Sequence, residues 1–486
     1  MKQPVPFALR AFLSIVLATF SLQAWGLDCA PADIDLTNQA EVDALSATGC
    51  TTVTGNLSIT GSITSLEGLS NLTSVGGGLF ISGNSALTSL EGLSNLTNVS
   101  GYFSISVNGA LTSLDGLEGL TSLDGRLFIG NNAALTNLNG LTNLTNAGEY
   151  LFIKNNASLT TLDGLSALNS VGDGLEISSN ANLSNLDGLS GLNSVSGWLT
   201  ILNNANLSNL VGLANLTNVG ALSIDQNASL TTLDGLSALS SVGGELSILD
   251  NANLSNLDGL SGLKGEIGFL NIRSNAMLTN VDGLSSLTSV GNALWIIENN
   301  ALTNVDGLTN LASVGSFLTI EQNNILGNCS ALALLLGWPD GPPNDAVVGN
   351  ILIQNNATGC NSVQQILDSW PPELIFYNSF ESPDPLLTCP CWNTYTEAEL
   401  VAAINAQPPV DLICQDETWE ATMILDVAGF NPRLIAFAAP EEPEEPPFCE
   451  FEVGESGLVF HFLDTAMTSQ CKQELSRLIP MIPGCL

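Results

Sequence analysis

The side chains able to do chemistry in this chain are few in kind and repeated in position. There is one histidine, His461, inside an apolar run near the C-terminus. A Ser-His-Asp relay or a histidine metal centre needs imidazole beside a nucleophile or other imidazoles, so neither can be assembled in the repeats that dominate the chain. Carboxylates are plentiful because the repeat multiplies them: Asp234, Asp258, Asp282 and Asp306 stand at equivalent positions. In successive coils such charges would lie about 5 Å apart and repel by roughly 1 kcal/mol per pair in water. The column is either a series of Asp-Gly turns whose carboxylates accept backbone N–H bonds, or a calcium-binding edge. Asn139 and Val211 replace the acid without interrupting the repeat, which favours the turn. Polysaccharide cleavage on an acid-rich β-helix also asks for a basic residue, and the repeats hold only Arg126, Lys154, Lys264 and Arg273. The chain therefore reads as non-enzymatic, with no cofactor required and calcium the one left open.

The element that positions these groups is a unit first seen as LEGLSNLTSVGGGLFISGNSALTSL (66–90) and repeated to about residue 324. Its acidic or small position falls at Glu67, Glu91, Asp115, Asn139, Asp163, Asp187, Val211, Asp234, Asp258, Asp282 and Asp306, at intervals of 24 residues with a single 23. A fixed period in this range is the mark of a solenoid, one coil per repeat. Within the unit Leu66, Leu69, Leu72, Val75, Leu79, Ile81 and Leu87 hold the apolar positions. The Leu-x-Ile alternation predicts a short strand with both apolar residues inward. Three residues after each Ile comes Asn, from Asn84 to Asn323, an amide suited to the backbone groups of its own turn and of the adjacent coil. About 12 coils at about 4.8 Å give a rod of roughly 55 to 60 Å.

Specificity belongs to the outward strand positions, where the copies disagree. Flanking the inward Leu and Ile are Phe80, Tyr102, Phe128, Tyr150, Phe152, Trp198, Phe269, Trp295 and Phe317, nine aromatics in a chain that is 6% aromatic. Aromatics exposed on a flat sheet suit a surface that binds protein, peptide or glycan. The competing expectation is that they stack on one another or lie beneath the C-terminal module, since aromatics favour strands in any case.

The motif LxIxxN followed by LxxL resembles the leucine-rich repeat signature. The longer LxxLxxVxxxLxIxxN unit is similar to the L domains of growth-factor receptor ectodomains and related bacterial surface proteins, over about residues 50 to 370. The resemblance implies a mainly β fold, a right-handed leucine-rich, receptor L-domain-like β-solenoid with recognition on the outer face of a sheet. Receptor L domains have fewer and less regular coils, so no receptor ligand carries over.

The remaining segments deliver and close the rod. Residues 1–26 read as a signal peptide, with Lys2 and Arg10, an apolar run and small residues at Ala24 and Gly26. Asp28 before Cys29 is a poor fit to a lipidation box. Export agrees with ten cysteines after that segment, an even number that predicts disulfides and a secreted or cell-surface location. Cys29 and Cys50 bracket an N-terminal cap (27–62) with a helix expected at 38–45, ahead of the solenoid proper (63–328). Cys329 and Cys360 bracket a C-terminal cap (329–370) with short helices expected at 329–338 and 361–370, and Ile351, Ile353 and Asn356 repeat the strand motif once more. After a linker (371–388), whose FYNSFES resembles an element near the C-termini of some bacterial exported proteins, comes a small α+β module (389–486) with Cys389, Cys391, Cys414, Cys449, Cys471 and Cys485. Strands are expected there at 423–427, 434–438 and 458–462, and helices at 396–406 and 468–478.

Net charge bounds the partners. The chain carries −38, and losing Lys2 and Arg10 with the leader takes it to about −40, which argues against nucleic acid and anionic membrane. No later apolar run reaches the length of a membrane span. NxS/T triplets such as those at Asn95, Asn143 and Asn215 arise from the repeat template itself. The resulting expectation is an exported recognition or adhesion protein that binds an extracellular protein or glycan through the aromatic face, with a passive envelope spacer and a calcium-dependent adhesin as alternatives.

Overall fold

The computed structural model describes residues 27–30, 32–337 and 346–369, together with the backbone of six strands between 410 and 462. These fall into two compact units, one of residues 1–325 with 349–352 and the other of 326–348 with 353–486.

In the first unit the repeats build one kind of coil, with an ordinary turn in place of the 3-10 turn at 115–117 and the two strands merged at Ser194–Leu202 and Asn218–Asp225. Taking one copy, the strand Leu79–Ser82 is followed by a turn, a 3-10 turn at Glu91–Leu93 and a two-residue strand Asn98–Val99. Successive strands pair in parallel with like on like, Leu79 beside Phe103 and Ile81 beside Ile105, so each column of the sequence becomes a column in space. One parallel sheet gathers 18 strands, and two three-stranded sheets form from the shorter segments. The seven expected apolar positions of the first copy are all buried, as are the inward Leu (Phe103 in one copy) and Ile of each later copy through Ile320. Each such side chain contributes about 1.5 to 3 kcal/mol.

Three backbone features make that stacking possible. Gly188, in the 3-10 turn, is one of a column in which a Cβ would stand 1.6 to 2.0 Å from the Leu or Val carbonyl region of the coil before; for Gly188 it would meet the Leu162 oxygen at 1.9 Å. Apart from Gly116 (φ +108°), these glycines do not adopt a positive φ, so they are required for close approach of coils rather than for a turn conformation. Second, the residue before each column Asn is left-handed, with φ between 52° and 60° at the non-glycine positions from Val107 to Gln322 and 74° at Gly83. Third, the Asn side chains form a buried ladder. Oδ1 of Asn180 accepts from the N–H of Asn156 at 3.1 Å, and its Nδ2 donates to the Ile153 carbonyl at 2.9 Å. The same bonds recur from coil to coil, satisfying backbone groups that the bend removes from the strand ladder. At its first rung Asn84 Oδ1 is buried without a partner, and the preceding coil has Ser62 in place of the column Asn.

The helix Gln39–Thr48, three residues longer than expected at its C-terminal end, lies against the first 3-10 turn, where Val42 packs on Gly68. Asn38 Oδ1 accepts from the Glu41 N–H at 3.2 Å while Glu41 Oε2 accepts from Thr37 N–H at 2.6 Å, a reciprocal cap. Those bonds hold the Glu41 carboxyl below the ordinary range. Cys29 and Cys50 are joined.

In the second unit Cys329 and Cys360 are joined, and the α-helix Val363–Ser369 packs near the 3-10 turn Ser330–Leu332. The stretch expected to be helical from 329 forms only that 3-10 turn followed by turns, because its side chains are drawn inward: Leu332, Leu335 and Leu336 are buried. Asn356 Nδ2 donates to the Cys360 carbonyl at 2.9 Å. Farther on, Val410–Cys414 pairs antiparallel with Glu417–Ala421, and Met423–Asp426, Arg433–Ala436, Cys449–Gly454 and Gly457–Phe462 form an antiparallel sheet. The expected strands at 423–427, 434–438 and 458–462 correspond to three of these. The expected leader 1–26, the linker 371–388, the helices at 396–406 and 468–478, and Cys389, Cys391, Cys471 and Cys485 lie outside the described residues, as do the side chains of Cys414, Cys449 and His461.

Candidate functional site: an aromatic patch on the outer sheet face

Eight of the nine outward aromatics, all but Phe317, separate into three groups along the rod. Phe80 and Tyr102 meet edge to face at 5.7 Å, and Phe269 and Trp295 do so at 4.8 Å. The central group is larger: Phe128, Tyr150, Phe152 and Trp198 are linked by ring contacts of 5.7 to 6.4 Å. Six of the nine are half-buried against each other and the strands; Tyr102, Trp295 and Phe317 are exposed. Mutual packing therefore coexists with an outward face, and the two expectations from the sequence describe different atoms of the same rings.

Strand register explains how the central group forms. Tyr150, Gly174 and Trp198 occupy one position on three successive strands, and Phe152, Glu176 and Thr200 the next outward position. Gly174 leaves a gap, and Tyr150 and Trp198, two strands apart, close over it to a ring separation of 5.9 Å. A Cβ at Gly174 would sit 2.5 Å from Trp198 Cε2 and 2.8 Å from Cδ2 and Cζ2, so the indole lies face down on that glycine. Phe80 and Phe128 likewise lean over Gly78 and Gly130, here from two residues away in the same stretch of chain.

Charged groups fringe the patch. Arg126 lies 4.9 Å from the Tyr150 ring centre and pairs with Glu149 at 3.0 Å; Lys154 lies 5.8 Å from the Phe152 ring centre and pairs with Glu176 at 2.7 Å. Arg126 keeps 55% of its side chain exposed, so this pair contributes at most about 1 kcal/mol to stability and serves to hold a cation beside the rings. Sequence reasoning singled out the aromatics but not these partners. The available signal was that two of the four basic residues of the repeats flank Tyr150 and Phe152, with Glu149 and Glu176 near one coil on.

Asp234, Asp258, Asp282 and Asp306 stand exposed at equivalent places. The turn they occupy is closed differently from the sequence expectation. The N–H of the column residue donates to a side-chain oxygen two residues earlier, Asp282 to Asn280 and Asp234 to Thr232. Val211 and Asn139 make the same bond to Asn209 and Asn137, which is why neither disturbs the repeat. Burial, then the neighbouring Asp282, pushes the Asp306 carboxyl up. Burial, then Asp250, does so for Asp225, whose Oδ1 is buried without a hydrogen-bond partner. Among the described residues no three metal-ligating side chains converge.

The described residues thus form a parallel solenoid of 24-residue coils, disulfide-bonded outside its repeated body, with an aromatic patch on its outer sheet face. Residues 49–163 match the family model of the receptor L domain, which spans the coils from Cys50 to Phe152 and so enters the central patch. No curated protein matches the chain. The family match and the disulfides together point to the cell exterior or surface, and among the described residues no helix is long and apolar enough to cross a membrane.

Proposed function

We propose that this is an exported, non-enzymatic recognition protein that takes an extracellular ligand on the outer sheet face around Tyr150, Phe152 and Trp198. The observation that carries the reading is the central patch itself. Four aromatic rings, two cations and two carboxylates are gathered there, whereas the other ring contacts on the outer face join only pairs. The match to the receptor L domain, a family named for its place in receptors, supports ligand binding in general. Replacing Tyr150, Phe152 and Trp198 together with Ser should abolish retention of the protein on cells or on immobilised extracellular ligands while leaving circular dichroism unchanged. Unaltered retention removes the proposal. A passive spacer role is favoured by the packing of the rings on one another, and wild-type protein that is retained nowhere would establish it instead.

A further inference from the structure

Resting on that reading, we propose that the central patch is a stacking site for a neutral glycan, with the indole of Trp198 as the platform. Ring orientation carries the argument. A protein partner is best served by a ring that stands up from the surface and enters a pocket, whereas the C–H face of a pyranose needs a ring lying flat with one side open. The Cδ2–Cε2 bond shared by the two indole rings lies directly above Gly174, so one face is turned to the sheet, and the side chain as a whole is half-buried. Tyr150, tilted 33° to the indole at 5.9 Å, and Phe152, tilted 50° at the same separation, adjoin it. Sugar hydroxyls need donors and acceptors beside the platform, and Glu176 and Thr200 share the adjacent outward position on the strands of Gly174 and Trp198.

Charge selects within glycans. Arg126 and Lys154 are each neutralised by a glutamate, so the patch is close to neutral in a chain of −38. An anionic polysaccharide would meet the repulsion of the whole rod without a compensating excess of cations, and a neutral hexose chain meets none.

The test uses the full chain on an array of neutral gluco- and manno-oligosaccharides and of anionic uronate and sulfated oligosaccharides, with intrinsic tryptophan fluorescence as a second readout. Neutral oligosaccharides should be retained and should change the fluorescence. Trp198→Ala should weaken retention at least tenfold, and Gly174→Val, which keeps every aromatic but lifts the indole, should do the same. Gly174→Ala is the milder version should valine unfold the coil, and Lys264→Ala should bind as wild type. Retention of anionic glycans alone, or of none, overturns the inference, as does neutral binding indifferent to Trp198→Ala. Loss of a protein partner on Trp198→Ala without any glycan retention would overturn the glycan assignment while leaving the ligand-binding face intact.

Discussion

Between Asn156 and Asn227 the buried amide column runs without a change of residue, whereas across the same coils one outward column reads Tyr150, Gly174, Trp198 and Ala221. Both columns lie in parallel register at the same spacing, so their different tolerance has a local cause. Inside, each Asn completes the backbone bonding of a neighbouring coil and each turn glycine admits a neighbouring carbonyl, so any other side chain harms two coils at once. Outside, a side chain meets solvent on one side, and a gap such as Gly174 can be filled by a ring from the next strand. The scaffold is uniform because coils contact coils; the face is free to vary because only its neighbours and a ligand touch it.

The sharpest way to break the comparison is at the turn glycine. Gly188→Ala places a methyl 1.9 Å from the Leu162 carbonyl oxygen, and should cost more than about 4 kcal/mol in chemical denaturation, since neither backbone can yield without parting the coils. Asn180→Ala comes next. It leaves the Asn156 N–H buried without a partner and strips the Ile153 carbonyl of the bond it accepts from Asn180, a loss of about 1 to 3 kcal/mol measured in the same way. If either variant behaved like an outward substitution, the contrast between the regions would fail.

The third prediction reverses the sign. Val107 is β-branched, left-handed at φ 58° and 54% exposed, so its conformation is strained and its burial small. Val107→Asn should stabilise by about 1 kcal/mol, because Asn tolerates this region and little apolar contact is lost. The smallest effect concerns Asp225. Its carboxyl is raised, so the folded chain binds more protons than the unfolded one between the ordinary Asp value and the raised one, and its contribution to stability falls as pH rises through that window. Asp225→Asn should flatten that part of the pH profile and raise stability slightly at neutral pH, as followed by thermal melting across pH.

Much of this was legible before any coordinates. The period, the inward Leu and Ile columns and the Asn column follow from residues that recur because stacked coils impose one environment on each position. The left-handed position was harder to see, because among its twelve occupants from Gly83 to Asn355 only the first is glycine. It is marked instead by polar residues such as Asn131, Asn155, Asn203 and Asp250, which tolerate that region but also fill ordinary loops. The turn glycines were visible, but read as turn formers. Their tight approach to the preceding coil is a contact about 26 residues away in sequence, as from Gly188 to Leu162, and no local pattern announces it.

The sequence by itself determined the coil, its register and the set of side chains on each face, since a strict repeat converts residue type directly into position. Only the tertiary structure decided which of those side chains act together. That Trp198 lies on Gly174, that Tyr150 leans toward it, and that Arg126 and Lys154 are held by glutamates from the next coil are contacts between strands 20 or more residues apart. Each depends on a rotamer chosen in three dimensions to fill a local gap, and a periodic sequence leaves that choice open.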